Sequence, residues 1–333
     1  MIFNWPIVGH KKILNFLQQS IERDKVSHAY LFYGPENLGK KSVAKFFSQT
    51  LICEKNAINA KDGINIKIPC GECSACLGFS KDIYPDAIWL RKEDGKKNIS
   101  IDQIRDLIKK IGLTGFTKGY KIVIIVNVEE MSIEAVNAFL KILEEPPKKS
   151  LIILLANNPK NLPETIISRC QLIKFSLVTK NEIKEYLEKE YNLKADQAEE
   201  ISMFSLGRPG QAIKFVNDKE VFDEYLGRQK KLIEIIEGDL VERLKIVSEI
   251  YKNSEIKKII AGWKSLVRDL ILLKTKNQKL VINSRFQEEL TEIVKKFSFE
   301  QLYNFEKGLD DLNSQLRQNI NLRLALDNFV INL

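Results

Sequence analysis

Apolar and polar positions follow two regimes along the chain, and the change comes just after Phe175. Before it, short β-branched runs alternate with helical patterns. Lys121-Ile122-Val123-Ile124-Ile125-Val126-Asn127-Val128 is one such run, and Leu151-Ile152-Ile153-Leu154-Leu155-Ala156 is another. Residues 133–143 between them read as a helix, closed by Glu144-Glu145-Pro146-Pro147. Proline ends it because the ring removes a backbone donor and restricts the preceding residue. Runs without polar alternation read as strands buried on both faces of a parallel sheet, so the pair and its helix predict a βαβ unit. His28-Ala29-Tyr30-Leu31-Phe32-Tyr33 and Tyr84-Pro85-Asp86-Ala87-Ile88-Trp89-Leu90 read as further strands. Ile13, Leu14, Leu17 and Ile21, then Ile101, Ile104, Leu107, Ile108 and Ile111, mark amphipathic helices. Residues 54–69 read as an irregular insertion.

From residue 179 onward nearly every segment has helical spacing. Lys180–Tyr191, Ala195–Phe204 and residues 211–216 form one group around the turn Gly207-Arg208-Pro209-Gly210. Longer helices are expected near 219–237, 239–252, 255–275, 285–296 and 299–331. The pattern predicts an α/β domain over residues 1–178, a small helical domain over 179–218 and a helical C-terminal domain over 219–333.

Two motifs carry chemistry. The strand ending at Tyr33 runs into Gly34-Pro35-Glu36-Asn37-Leu38-Gly39-Lys40-Lys41-Ser42 and then a helix, which is the context a phosphate-binding loop needs. Gly34, Gly39 and Lys40 meet the GxxxxGK spacing, but Lys41 stands where a Mg²⁺-ligating Ser or Thr belongs. Ser42 comes one residue late, about 100° further around the helix. Two readings stay open: a loop that binds ATP weakly, and one that only turns strand into helix. In P-loop ATPases the Lys121 run would end in acids that hold Mg²⁺ and polarise water; here it ends in Val126-Asn127.

Cys70-Gly71-Glu72-Cys73-Ser74-Ala75-Cys76 places three thiols at two-residue intervals, and Cys53 lies earlier in the chain. Such spacing lets sulfurs converge on one ion, with a fourth ligand from a distant element, and a structural Zn²⁺ held by Cys53, Cys70, Cys73 and Cys76 is expected. Cys170 is left over as a packing residue.

Composition adds little. In 333 residues, 44% are apolar and 29% charged, as in soluble globular proteins. With neither a long apolar span nor a secretory signal after Met1, a cytoplasmic protein is expected. The net charge is +8, of which +6 precedes residue 219. That excess suits work near DNA or acidic partners, and equally a lysine-rich solvated surface.

Taken with Leu143-Glu144-Glu145-Pro146-Pro147 and Ser168-Arg169-Cys170, these motifs resemble the bacterial clamp-loader subunits of the AAA+ class, most closely the delta-prime type of DNA polymerase III. Val8-Gly9, His28-Ala29-Tyr30, Ile101-Asp102-Gln103-Ile104-Arg105, Asn137-Ala138-Phe139-Leu140-Lys141 and residues 319–326 extend the resemblance along the chain. It implies an AAA+ α/β domain, a helical lid and a helical collar through which subunits assemble. It implies that Arg169 is an arginine finger, reaching in trans into the ATP site of a neighbouring gamma or tau subunit. The partners would be gamma/tau and delta, with the sliding clamp and primed DNA engaged by the assembled loader.

The departures at Lys41, Val126 and Asn127 imply a subunit of the polymerase holoenzyme that neither hydrolyses ATP nor polymerises. The family's sensor-2 arginine would fall near Gly210, whereas Arg208 sits two residues earlier. The alternative is an active gamma/tau-type motor. A zinc-dependent nucleic-acid module would leave Gly34, Lys40 and Arg169 unexplained, and it lacks interleaved aromatic residues.

Overall fold

The structure, a computed structural model, describes residues 1–56, 67–112, 119–251, 256–316 and 321–333. Most of the expected insertion at 54–69 therefore lies outside the described residues. The chain divides into two compact units, one of Met1–Tyr186 with Gly207–Gly210, the other of Leu187–Leu206 with Gln211–Leu333.

In the first unit β1 (Ile2–Phe3) pairs with β3 (Lys67–Ile68) in a small parallel ribbon. The main sheet is built from β2 (Ala29–Tyr33), β4 (Ala87–Leu90), β5 (Lys121–Val126), β6 (Ser150–Ala156) and β7 (Gln171–Lys174). All its pairings are parallel and the order is β4-β5-β6-β2-β7. The expected βαβ unit is present: Ile133–Glu144 connects β5 to β6, capped by Ser132 Oγ accepting from Ala135 N at 3.2 Å.

Both faces of the sheet are buried, which is why its strands read as continuous apolar runs. Tyr30, Phe32, Ile122, Ile124, Leu151, Ile153 and Leu155 face Leu17, Ile21, Val43 and Phe47 of the helices Lys11–Glu22 and Lys40–Ile52. Ala29, Leu31, Val123, Ile125, Ile152, Leu154 and Ala156 face Ile104, Leu107, Phe139 and Ile142 of the helices Ile101–Gly112 and Ile133–Glu144. The period-two alternation of each strand thus sorts its side chains between two cores.

The sequence pattern misses β7 and the β1–β3 ribbon. β7 is a sheet edge in which only Ile173 is buried, and each ribbon strand has two residues. Such segments are too short or too polar to show a period.

The second unit is helical among its described residues. Trp263, fully buried in the helix Ile256–Lys274, donates from Nε1 to Arg228 O at 3.0 Å and stacks on Phe329 with centroids 6.2 Å apart. The helix expected over 299–331 is two helices, Phe299–Gln315 and Leu322–Ile331. Asn321 starts the second, its side chain accepting from Arg323 N at 3.1 Å and so acting as an N-cap.

Asp269, fully buried, ties this unit together. Its Oδ2 accepts from Ile282 N at 2.9 Å, Asn283 N at 2.7 Å and Asn283 Nδ2 at 2.8 Å, and Arg268 lies 3.3 Å from Oδ1. Replacing Asp269 by Ala strands these donors and should cost about 3 kcal/mol, while Asp269→Asn, which keeps one acceptor, should cost less. Urea unfolding of the full chain measures both; equal midpoints for wild type and Asp269→Ala would show that the tie contributes nothing.

Candidate functional site

The carboxyl ends of β2, β5 and β6 lie side by side and set out the glycine-loop site. Gly34 leaves β2 with φ 142°, and a Cβ there would collide with the carbonyl oxygen of Phe175. Gly39 opens the helix Lys40–Ile52 with φ 86°, a left-handed conformation that glycine adopts without strain. The loop is braced from outside. Gly210 N donates to Asn37 O at 2.8 Å, and His10 Nε2 donates to Leu38 O at 2.9 Å. His10 also meets Phe175 edge-on at 4.9 Å; burial lowers its pKa, partly offset by the Leu38 bond and by Glu182.

Lys40 folds back over this loop. Its ammonium donates to Gly34 O, to Pro35 O at 2.8 Å and to Asn157 Oδ1 at 3.0 Å, which uses all three of its hydrogens. Only 8% of the residue is exposed. Burial pulls its pKa down to about 8, against the carboxylates of Glu129 and Glu36, which raise it.

Val126 ends β5, and Asn127 turns into the left-handed region at φ 54°. The turn Val128–Glu130 then brings Glu129 back to the site. Glu129 Oε1 accepts from Asn157 N at 2.8 Å, and Asn157 Nδ2 donates to Glu36 Oε1 at 3.3 Å. Glu129 Oε2 is buried without a hydrogen-bond partner among the described residues.

The sequence pattern identifies neither Asn157 nor Glu129 as a site residue. The signal for Asn157 was its place just after β6, since ligands meet such sheets at the strands' carboxyl ends. Glu129 lies beyond the strand, and only the left-handed turn at Asn127 returns it. Lys41 directs its ammonium over Trp89, 5.2 Å from the ring centroid, and Ser42 is exposed. Arg208 Nε is buried without a partner among the described residues.

Arg169 follows the short helix Glu164–Ile167, on the surface of the same unit. Its side chain is 35% exposed and pairs with Glu144 at 2.7 Å. Nη1 donates to Thr165 O at 3.0 Å and Ser168 Oγ at 3.3 Å. Its neighbour Cys170 packs against the core, and burial pushes its thiol up to about 12.

The four remaining cysteines converge. Their sulfurs all lie within 4.8 Å of one another, and Cys70 Sγ is 3.9 Å from Cys76 Sγ. A tetrahedral ion with metal–sulfur bonds of about 2.3 Å sets its sulfurs about 3.8 Å apart, so the cluster fits such an ion closely. Cys53 caps the end of the loop helix, Cys70 follows β3, and Cys73 caps the helix Ser74–Ser80 that carries Cys76. Backbone N–H groups of Cys70, Cys73 and Cys76 point at the sulfurs of Cys53, Cys70 and Cys73 at 3.5, 3.4 and 3.4 Å. The Cys76 thiol, with the backbone N–H groups of Cys70 and Lys55, holds Cys53 down to about 5 against its burial, while the hydrogen bond to Cys53 and burial push Cys76 up. Four sulfurs gathered this closely are an arrangement that a divalent cation relieves by binding them as thiolates and displacing their protons.

A glycine loop after β2, an inner strand of this parallel order, defines a P-loop domain of the AAA+ class. The family described as "DNA polymerase III, delta subunit" matches residues 9–179, just over half of the chain, and the protein belongs to that family of clamp-loader subunits. It is 32% identical over 293 residues to DNA polymerase III subunit tau of Bacillus subtilis, covering 81% of this chain and 50% of that protein. It is 36% identical over 148 residues to subunit delta' of Pseudomonas aeruginosa, covering 44% and 43%. The chain thus spans about half the length of the curated relatives it matches. Among solved structures, a gamma subunit-related protein of Thermotoga maritima aligns over 95% of this chain and 97% of that one, at 18% identity and TM-score 0.43. No helix among the described residues is long and apolar enough to cross a membrane.

Two measurements test this geometry. Elemental analysis of the purified protein should find one tightly held metal ion per chain, absent from Cys76→Ser, whose thermal midpoint should also fall; equal metal content in both would exclude the cluster as its site. For Lys40, folding lowers the pKa from 10.5 to about 8, so the unfolded chain holds the proton more tightly between those values. The contribution of this group to stability therefore rises as pH climbs from about 8 toward about 10.5. Lys40→Met should lack that rise, read as the wild-type-minus-mutant difference in urea midpoint across this range; a flat difference would place the ammonium in solvent.

Proposed function

We propose that this chain is the delta-prime-type subunit of the DNA polymerase III clamp loader, working without ATP hydrolysis of its own. The observation that carries the reading is the end of β5. Val126 and Asn127 stand where a motor subunit holds its acids, and the carboxylate that returns, Glu129, is engaged by Asn157 N. Lys41, in the place of the metal-ligating hydroxyl, directs its charge to Trp89 instead. Without either ligand, Mg²⁺ would be poorly held and water poorly activated, which costs several powers of ten in rate.

In this reading Arg169 is the catalytic contribution, made in trans. A guanidinium stays charged at any working pH and can bond phosphate oxygens in pairs, so it suits stabilising charge on the γ-phosphate of a neighbour's ATP. Its support here is surface placement. The division at 1–178, 179–218 and 219–333 would correspond to AAA+ domain, lid and collar. The collar would join gamma/tau and delta subunits, and the assembled loader would place the sliding clamp on primed DNA in the cytoplasm. Cys53, Cys70, Cys73 and Cys76 would hold a structural Zn²⁺, closed to catalysis because all four positions are protein sulfurs.

One observation favours the second reading, an active gamma/tau-type motor: Glu129 Oε2, buried without a hydrogen-bond partner among the described residues, is close enough to raise the pKa of Lys40. The two readings separate in one assay series. The purified chain should show no ATP turnover above background, and the loader reconstituted with Arg169→Ala should assemble normally but hydrolyse ATP at least about tenfold more slowly. Turnover by the chain alone that both Lys40→Ala and Glu129→Gln abolish would establish the motor instead.

A further inference from the structure

We infer that Glu144 is the positioning residue for Arg169, an inference that rests on the arginine-finger reading above. Glu144 ends the helix Ile133–Glu144, and its Oε1 meets Arg169 Nη2 at 2.7 Å. Arg169 emerges one residue past Ser168, the C-cap of the Glu164–Ile167 helix, whose Ile166 is fully buried in the sheet's core. Both backbone origins are therefore anchored, and the pair bridges two fixed points.

An arginine carries large rotamer entropy, and one left free on the surface would visit many orientations. Here Nη1 donates to Thr165 O at 3.0 Å and Ser168 Oγ at 3.3 Å, and Nη2 to Glu144. Those bonds leave the Nε hydrogen and one Nη2 hydrogen, enough for a paired bond to phosphate oxygens. The held guanidinium is thus oriented without being used up.

Energy separates this role from a structural one. The side chains are 35% and 49% exposed, and ion pairs in that setting contribute little to stability. What such a pair does supply is direction, and misplacing a catalytic group by an ångström costs large factors in rate. Glu144 would therefore matter to the neighbour's hydrolysis far more than to this chain's folding.

The test uses the fully assembled loader with Glu144→Ala, Arg169→Ala and the double variant, measuring kcat, KM for ATP, assembly and thermal midpoint. Glu144→Ala should lower kcat on the order of tenfold, with KM, assembly and midpoint unchanged. The double variant should be no slower than Arg169→Ala alone, because the two residues act as a unit. Glu144→Gln, which keeps the acceptor oxygen, should recover part of the rate. A Glu144→Ala loader as fast as wild type or faster, beside a slow Arg169→Ala loader, overturns this inference and leaves the finger reading standing. Losses that simply multiply in the double variant overturn it too. An Arg169→Ala loader with unchanged kcat removes the finger reading, and Glu144 with it.

Discussion

The burial of β2 on both faces, with hydrogen-bonded neighbours on both edges, is the constraint from which the site follows. β2 lies between β6 and β7, and its residues divide between two cores. Polarity cannot fix register in a strand with no polar face, so side-chain size must. Tyr30 and Phe32 fill the side packed by Phe47, whereas Ala29 and Leu31 leave room for Phe139 on the other. With β2 set, Gly34 is delivered against Phe175 at a spacing that excludes any side chain, and the glycine loop has one course.

Charge at the end of that course is sparing. One buried ammonium sits among carbonyl oxygens and an amide, with carboxylates close enough to favour its protonated form but too few to overcome burial. The outer cation is the opposite case. Arg169 is solvated and held by an exposed partner, so its charge is available beyond its own fold. In the proposed reading, a chain that withdraws its loop lysine and presents a surface arginine would influence a neighbour's chemistry more than its own.

Much of this is legible in the sequence. Apolar runs without alternation located β2, β5 and β6, and Pro146-Pro147 located the end of the helix carrying Glu144. The two-residue cysteine spacing pointed to convergence, which the sulfurs display. What stayed hidden has physical causes. β7 lies at an edge and buries only Ile173, so its pattern resembles a loop. Glu129 reaches the site through one left-handed residue, and single backbone torsions leave no period in a sequence. The break within 299–331 had a signal in Asn321, a good N-cap, but the apolar spacing continues across it.

The cysteine cluster has a consequence for how this chain tolerates change in length. It brings Cys53, at the end of the glycine-loop helix, beside Cys70, two residues after β3, so the two ends of the intervening chain meet. Closure entropy grows only with the logarithm of length, about 0.6 kcal/mol for each doubling. Changes in length between Cys53 and Cys70 should therefore cost little as long as the four sulfurs still meet, which makes this interval a point at which related chains can diverge in size.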